Sequence, residues 1–328
     1  MVEGIFKSLC CDTGYCGAYC FGLGLVYLGG FMVIEGDMFG EKFLFESGFT
    51  RYYVGWLVVE VRSDSDVLLP PFTGKVVKSL LIRANPDLEK VFKSIYSPKP
   101  LSVSPLVLRG RVLWKRAGSS MVMKCRGGDR LGFHIGFRED VADMIIDAIH
   151  DLNDVVVFNA RWRLLEASIT SYELPSEDTG FDLDGKDMVI VSFRSPAILL
   201  DPYKAQPSNP RFLPLPGIVF SYNIGELLRM RSRDKRWDPR YWYLVDIVNA
   251  ALHEHRRILD KIYTARYIYD GREGYGVGGH AVYYIVRRVL REKPWVKSFL
   301  ENILLHATIM GVGTGRANGF GYVEIKLE

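Results

Sequence analysis

The chain has 328 residues, 48% hydrophobic and 24% charged, with a formal net charge of +4. That length and apolar content suit about two globular domains and exclude a disordered chain; the small positive charge admits a polyanionic partner but excludes a histone-like binder. Four of the five cysteines, Cys10, Cys11, Cys16 and Cys20, fall in the first 20 residues, so the body of the chain has no disulfide framework and reads as reduced and cytoplasmic.

Residues 1–50 differ in character from the rest. From Thr13 to Ile34 there are 22 residues without a charge, long enough to span a bilayer, but six are glycine and the only preceding basic residue is Lys7. Helix propensity is low and a signal or anchor is weakly supported, so no membrane partner is expected. The four thiols, an adjacent pair followed by gaps of four and three residues, lack the two-knuckle spacing of zinc modules. The segment reads as an extension outside the folded domains, either a poorly ordered tail or upstream reading frame with Met32 or Met38 as alternative starts.

The region 51–174 is organised. YVGWLVVEV (53–61) has strand composition, and LLPPFTGKVVKSLLI opens a helix after paired prolines. SVSPLVLRG (102–110) and DRLGFHIGF (129–137) read as strands, REDVADMIIDAIHDL (138–152) as an amphipathic helix and WRLLEASITSYEL (162–174) as a strand. The order is β-α-β-β-α-β, the split unit of ferredoxin-like and RNA-recognition folds. After a polar linker, 175–187, the pattern returns over 188–328. MVIVSFRSP (188–196) reads as a strand, 216–230 and 241–255 as helical, HAVYYIVRR (280–288) as a strand, 293–310 as a helix and YVEIKL as the last strand. The fold class expected is α+β, two ferredoxin-like domains in tandem.

Between that last helix and strand lies GVGTGRANGFG (311–321), with five glycines in eleven positions. Glycines there permit positive φ and close approach of backbone to a ligand, and successive N–H groups form an anion-binding concavity. The Gly-Lys-Ser/Thr ending of a Walker loop is missing, and the segment precedes a strand, unlike a dinucleotide fingerprint. A turn packed under a sheet fits the same residues.

The pattern glycine-hydrophobic-glycine, five residues, glycine-hydrophobic-glycine resembles the carboxyl-terminal motif of the CRISPR-associated endoribonucleases that cut repeat RNA, which belong to the RAMP superfamily. FRSPAILL (193–200) and FLPLPGIVF (212–220) are similar to weaker features of that family. The resemblance covers roughly residues 52–328 and implies two ferredoxin-like domains. Many members carry a catalytic histidine in the stretch matching NPDLEKVFKSIYSPKP (85–100); here that stretch has none, and Lys93 stands at the corresponding place. The chain therefore resembles the histidine-lacking archaeal branch, which implies an active site of Lys75 and Lys78 in GKVVKSLL, Lys99 in SPKPLSV and Arg272 in GREGYGVGGHAV.

These residues also make chemical sense by themselves. Lys75 and Lys78, three apart on a helix, share one face opposite Val76, Val77, Leu80 and Leu81. RNA is cut without metal when its own 2′-hydroxyl attacks the neighbouring phosphate. Clustered ammonium groups stabilise the phosphorane, and their mutual repulsion lowers a lysine pKa toward acid/base use. Arg272 offers a bidentate fork to the phosphate. A solvated helix face is the plain reading of the same K-x-x-K.

For RNA binding, the expected groups are Gly311, Gly313, Gly315, Arg316, Gly319 and Gly321, with Lys124 and Arg126 in KCRGGDR (124–130); RMRSRDKRW (229–237) adds a basic run. No carboxylates lie beside histidine at ligand spacing, and a helical HEH at 253–255 places its histidines on different faces, so no metal and no cofactor are expected. His134 reads as a packed or surface strand residue. His280, close to Arg272, is a weaker candidate for touching substrate. The expectation is a metal-independent endoribonuclease acting on CRISPR repeat RNA, leaving a 2′,3′-cyclic phosphate and a 5′-hydroxyl. The alternative is a non-catalytic RNA-binding subunit. A CRISPR effector complex and a second copy of the chain are further candidate partners.

Overall fold

In the computed structural model of the chain, residues 25–28, 31–34, 48–94, 98–204, 210–230, 238–255 and 261–328 are described. Met1–Phe43 and Leu44–Glu328 form separate units. In the first, β1 (Leu25–Leu28) and β2 (Phe31–Ile34) pair as an antiparallel hairpin, Leu25 opposite Ile34. The amino-terminal cysteines and residues 231–237 of the basic run lie outside the described residues. No helix among the described residues is long and apolar enough to cross a membrane.

Among the described residues, the second unit holds two large sheets and a short two-stranded ribbon. β3 (Thr50–Arg62) alternates, with Leu57, Val59 and Val61 buried and Trp56, Val58 and Glu60 on the other face, the period-2 pattern of a strand with one side in a core. α1 (Gly74–Ala84) follows Pro70 and Pro71 and ends at Asn85, before Pro86. Its Val76, Val77, Leu80 and Leu81 are fully buried, each contributing about 1.5–3 kcal/mol by leaving water. Thr73 fixes the helix start: its hydroxyl donates to Leu113 O at 2.6 Å and accepts from Leu106 N at 2.9 Å. Next come β4 (Leu101–Val103), β5 (Arg130–Arg138), α2 (Ala142–His150) and β6 (Ala160–Leu174). The sheet order is β6-β3-β5-β4, antiparallel throughout, and both helices pack on the face carrying Leu57, Phe133, Ile135 and Trp162. The strand expected over 102–110 is shorter. Pro105 follows β4, and Val107–Leu108 then turns through Arg109 and Gly110, both at positive φ, to pair with Arg111–Val112.

The second sheet comprises β7 (Met188–Ala197), β8 (Ile262–Tyr269), β9 (Arg272–Ile285) and β10 (Val323–Leu327). Its helices are α3 (Ser221–Leu227), α4 (Pro239–Ala251) and α5 (Trp295–Met310). β7 lies between β10 and β9, and β9 pairs along its length with β8 and then with the short strand Leu252–Glu254. The order repeats that of the first sheet, giving an α+β fold with ferredoxin-like halves in tandem.

Three expectations for this half need correction. The helix expected over 241–255 ends at Ala251, because Leu252 turns extended (φ −125°, ψ 114°) and Leu252–Glu254 joins the sheet edge; His253 and Glu254 are therefore strand residues. The strand expected over 280–288 runs from Arg272 to Ile285, and Arg287–Glu292 is helical. Its partner β8 was not anticipated. Gly274 and Gly278 conceal both strands: they stand opposite Tyr267 and Tyr263, whose rings occupy the space a Cβ would need, at 2.4 and 2.7 Å. Glycine lowers apparent strand propensity, but cross-strand aromatic cover restores the pairing. The helical stretch 216–230 is likewise two short helices, Pro216–Val219 and α3.

Candidate functional site

The lysine-bearing face of α1 is where the two halves meet. The tip of the β8–β9 hairpin is a two-residue turn, Asp270 and Gly271, with both φ positive (49° and 76°), the geometry that matches strand twist. Asp270 Oδ1 lies 2.5 Å from Lys75 Nζ, so the turn carries Arg272, the residue after it, to the lysine helix. An aromatic cluster holds this junction. Phe72, just before α1, stacks on Phe320 of the glycine segment at 4.3 Å and meets Tyr269 of β8 at 5.9 Å, while Tyr267 packs on Phe320 at 4.7 Å.

Lys78, one turn along α1, donates to Asn318 Oδ1 at 3.3 Å and lies over the Phe92 ring. Lys99 donates to the carbonyl of Phe92. Phe92 is thus touched by both ammonium groups. Burial pushes the Lys78 amine below the ordinary lysine value; Asp270 opposes that shift, and Lys75 and Lys93 add to it. Lys99 is also lowered, first by burial and then by the charge of Lys78. Lys93, at the place of the missing histidine, is exposed and paired to Glu89 at 2.7 Å.

The glycine segment closes the site from the second half. All five motif glycines, Gly311, Gly313, Gly315, Gly319 and Gly321, have φ between 68° and 97°, a region that L-residues adopt at a cost. Packing restricts them as well. A Cβ on Gly313 would stand 2.5 Å from Ile198 O and one on Gly321 1.9 Å from Val312 O. Gly319 abuts Gly74 at the start of α1, and a Cβ on Gly74 would lie 2.3 Å from Asn318 O. Side chains at Gly313 and Gly319 would therefore disturb the fold itself, whatever they do to a ligand. The segment nevertheless keeps donors. Among the described residues, the N–H groups of Gly313, Gly315, Arg316 and Ala317 make no hydrogen bond within the protein. These residues line a cavity of about 250 Å³ with Lys99, Tyr222 and Ser94.

Arg316 departs from its expected place. Its side chain is 4% exposed and its Nη2 donates to Glu226 Oε1 at 2.8 Å, so the guanidinium is turned inward onto α3 and is not presented to solvent. Lys124 and Arg126 lie at a separate edge, where Lys124–Cys125 pairs with Val67–Leu68 and Lys124 binds Asp66 at 2.6 Å.

Sequence reasoning missed a basic cleft between the two sheets. Cavities of about 340 and 590 Å³ share Arg109, Gly110, Val112 and Arg194. Arg130, Arg111 and Lys261 add to the cations on their walls, Glu324 is the carboxylate, and the aromatics are Trp56, Tyr322, Tyr263 and Phe193. Trp56 is 40% exposed. Arg194 donates to Gly110 O at 3.0 Å and pairs with Glu324 at 3.2 Å, linking the sheets across the cleft. His280 sits here rather than with the lysines, its Nδ1 2.8 Å from Ser192 Oγ. Exposed aromatics on a β-face were the available signal; the arginines come from three separate stretches of chain that only the fold brings together.

Residues 56–172 match the family model of the Cas6 N-terminal domain. The first half is thus similar to the amino-terminal domain of Cas6 proteins. Among solved structures, a Cas6 product complex is similar over 84% of this chain and 99% of that one, with a TM-score of 0.55 at 14% identity. Thermus thermophilus Cas6 has a TM-score of 0.54 at 14% identity, with the same coverage. A Cas6 substrate-mimic complex scores 0.50 at 12% identity, again over 84% and 99% of the two chains. At these identities the likeness is one of fold, the tandem ferredoxin-like architecture. No curated protein matches the chain.

Proposed function

We propose that the chain is a metal-independent endoribonuclease that cuts CRISPR repeat RNA, with Lys75, Lys78, Lys99 and Arg272 as its catalytic set. The observation that carries this reading is the pair of half-buried lysines, Lys78 and Lys99, with lowered pKa beside a cavity walled by unbonded backbone N–H groups. A 2′-hydroxyl held there attacks the adjacent phosphorus as an uncharged lysine amine takes its proton. The P–O5′ bond breaks, and a charged lysine returns a proton to the departing 5′-oxygen, leaving a 2′,3′-cyclic phosphate and a 5′-hydroxyl. Ammonium groups, the Arg272 fork and the glycine-segment N–H groups stabilise the phosphorane charge. The positively charged, aromatic-edged cleft suits flanking single-stranded RNA, through phosphate neutralisation and base stacking. The solved Cas6 structures in product and substrate-mimic complexes support repeat RNA as the substrate class.

The test is incubation of the purified protein with repeat RNA in EDTA. Specific cutting is expected, and alanine at Lys75, Lys78 or Lys99 should slow it at least tenfold, about 1.4 kcal/mol of transition-state stabilisation, with much smaller effects on binding. Tight binding with intact RNA would instead identify a non-catalytic RNA-binding subunit, and wild-type rates in all three variants would remove the lysines from the mechanism.

A further inference from the structure

Behind the glycine segment lies a buried polar network that the proposed chemistry does not use. Glu226 on α3 accepts from Arg316 at 2.8 Å through Oε1, and its Oε2 lies 3.5 Å from His306 Nε2 on α5. Asn223, one turn before Glu226, places its Nδ2 2.9 Å from His306 Nδ1 and 2.9 Å from the carbonyl of Gly311. Tyr52 of β3 covers the other side, its ring edge-on to His306 at 4.9 Å. Glu226, Asn223, His306 and Arg316 are all buried.

The hydrogen-bond roles follow from one fixed acceptor. Gly311 O can only accept, so the Asn223 amide must turn its NH2 toward it, and the second amide hydrogen then points at His306 Nδ1. His306 therefore accepts at Nδ1 and carries its hydrogen on Nε2, facing Glu226. The carboxylate is bound by the guanidinium, with the imidazole Nε2 3.5 Å from its other oxygen, and the guanidinium belongs to the first residue of the turn Arg316–Asn318. The last residue of that turn is Asn318, which receives Lys78.

We infer that Glu226 is a positioning residue for the lysine site: by tethering Arg316 it fixes the turn Arg316–Asn318, and through that turn sets where Asn318 meets Lys78. The inference rests on the proposed RNA-cleaving role of Lys78. The turn, flanked by glycines at φ 78° and 97°, packs into the first core through Ala317, but where its last residue, Asn318, points also depends on the rigidity of its first, Arg316. A charged tether to a helix supplies that rigidity, as a supporting shell does for a catalytic group. The charged groups acting on Lys78 are Asp270 from the hairpin tip, Lys75 on its own helix, and Lys93 and Glu89 from the following one; Lys78 in turn acts on Lys99. Freed from Asn318 and rehydrated, Lys78 moves back toward its ordinary value of 10.5.

The test is Glu226→Gln in the full chain, read by single-turnover cleavage of repeat RNA across pH, RNA affinity, and near-UV circular dichroism at the assay temperature. The expected result is a rate at saturating RNA lowered at least tenfold, affinity changed less than threefold, and the lysine limb of the pH–rate profile moved upward. A wild-type rate and profile overturn the inference, as does a rate loss that merely tracks the folded fraction. Should Glu226→Gln not fold, Glu226→Met combined with Arg316→Met removes both charges together, a replacement that buried pairs tolerate; it must show the same lost rate and shifted profile, and a wild-type rate in it refutes the tether. Lys78→Ala is the reference. If Lys78→Ala also cuts at the wild-type rate, the cleavage reading fails; if it is inactive while both Glu226 variants cut normally, only the positioning role fails.

Discussion

Gly74→Ala is a one-carbon test of how the two halves meet at the lysines. Gly74 is the first residue of α1, where alanine should help: away from special contacts, Gly to Ala in a helix gains about 0.8–1 kcal/mol. Here the added Cβ would stand 2.3 Å from Asn318 O, about 1.1 Å short of the 3.4 Å at which ordinary contact begins. The obstacle is backbone, so no rotamer change relieves it. Overpacking of this kind costs about 1–3 kcal/mol, and subtracting the helix gain leaves a net destabilisation of up to about 2 kcal/mol. That corresponds to a fall in Tm of about 2–4 °C for each kcal/mol in a chain approaching this size. The turn carrying Asn318 also retreats from Lys78, so single-turnover cleavage of repeat RNA should drop by more than the loss of folded protein explains. A Gly74→Ala protein that melts higher than wild type and cuts at the wild-type rate would refute the close apposition of helix and glycine segment.

Arg109→Ala and Lys261→Ala, in the cleft, should each flatten the dependence of RNA affinity on salt by about 0.7 in log–log slope, with little change in the cutting rate at saturating RNA; unchanged slopes in both would move the flanking RNA elsewhere. His134 gives a pH signature. Its ring stacks on Tyr322 at 5.2 Å, and burial pushes its pKa down to about 4 from 6.5. The unfolded chain therefore binds a proton between those values that the folded one does not, and the contribution, complete above pH 6.5, is lost as pH falls toward 4, at about 1.4 kcal/mol per pH unit. Chemical denaturation across that range should show this slope in the wild type and its loss in His134→Phe; equal slopes would show that His134 titrates alike in both states.

What was legible in the sequence followed from strong periodicity. β3, α1, β5 and α2 each bury an apolar stripe, β6 buries Ala160, Trp162 and Leu174, and their order identifies a ferredoxin-like half. β8 and β9 were illegible because their pairing depends on Gly274 and Gly278 making room for Tyr267 and Tyr263, a relation between strands that no single window contains. The lysines were legible as types and spacing, and α1 does place Lys75 and Lys78 on the face opposite Val76, Val77, Leu80 and Leu81. Their environment was not. Asp270, Asn318 and Phe92 reach them from 195, 240 and 7 residues away along the chain, and only Phe92 is local enough to guess.

The glycine segment raised two readings, a packing turn and an anion cradle, and its geometry makes them dependent on each other. Positive φ at Gly311, Gly313 and Gly315 bends the chain so that Val312 and Thr314 donate to Gly321 O and Ile198 O, which secures the segment to its own half. The same bends leave the intervening N–H of Gly313, and those that open the turn at Gly315, Arg316 and Ala317, without internal acceptors. Close packing is thus what aims the donors. Arg316 is turned inward, its guanidinium bound to Glu226, so under the proposed reading any contact with phosphate falls to backbone groups that no side-chain substitution removes. A glycine replacement at Gly313 or Gly319 therefore probes fold and binding together, whereas Glu226 and Arg316, remote from the cavity's donors by their side chains, separate the rigidity of the segment from its contact with RNA.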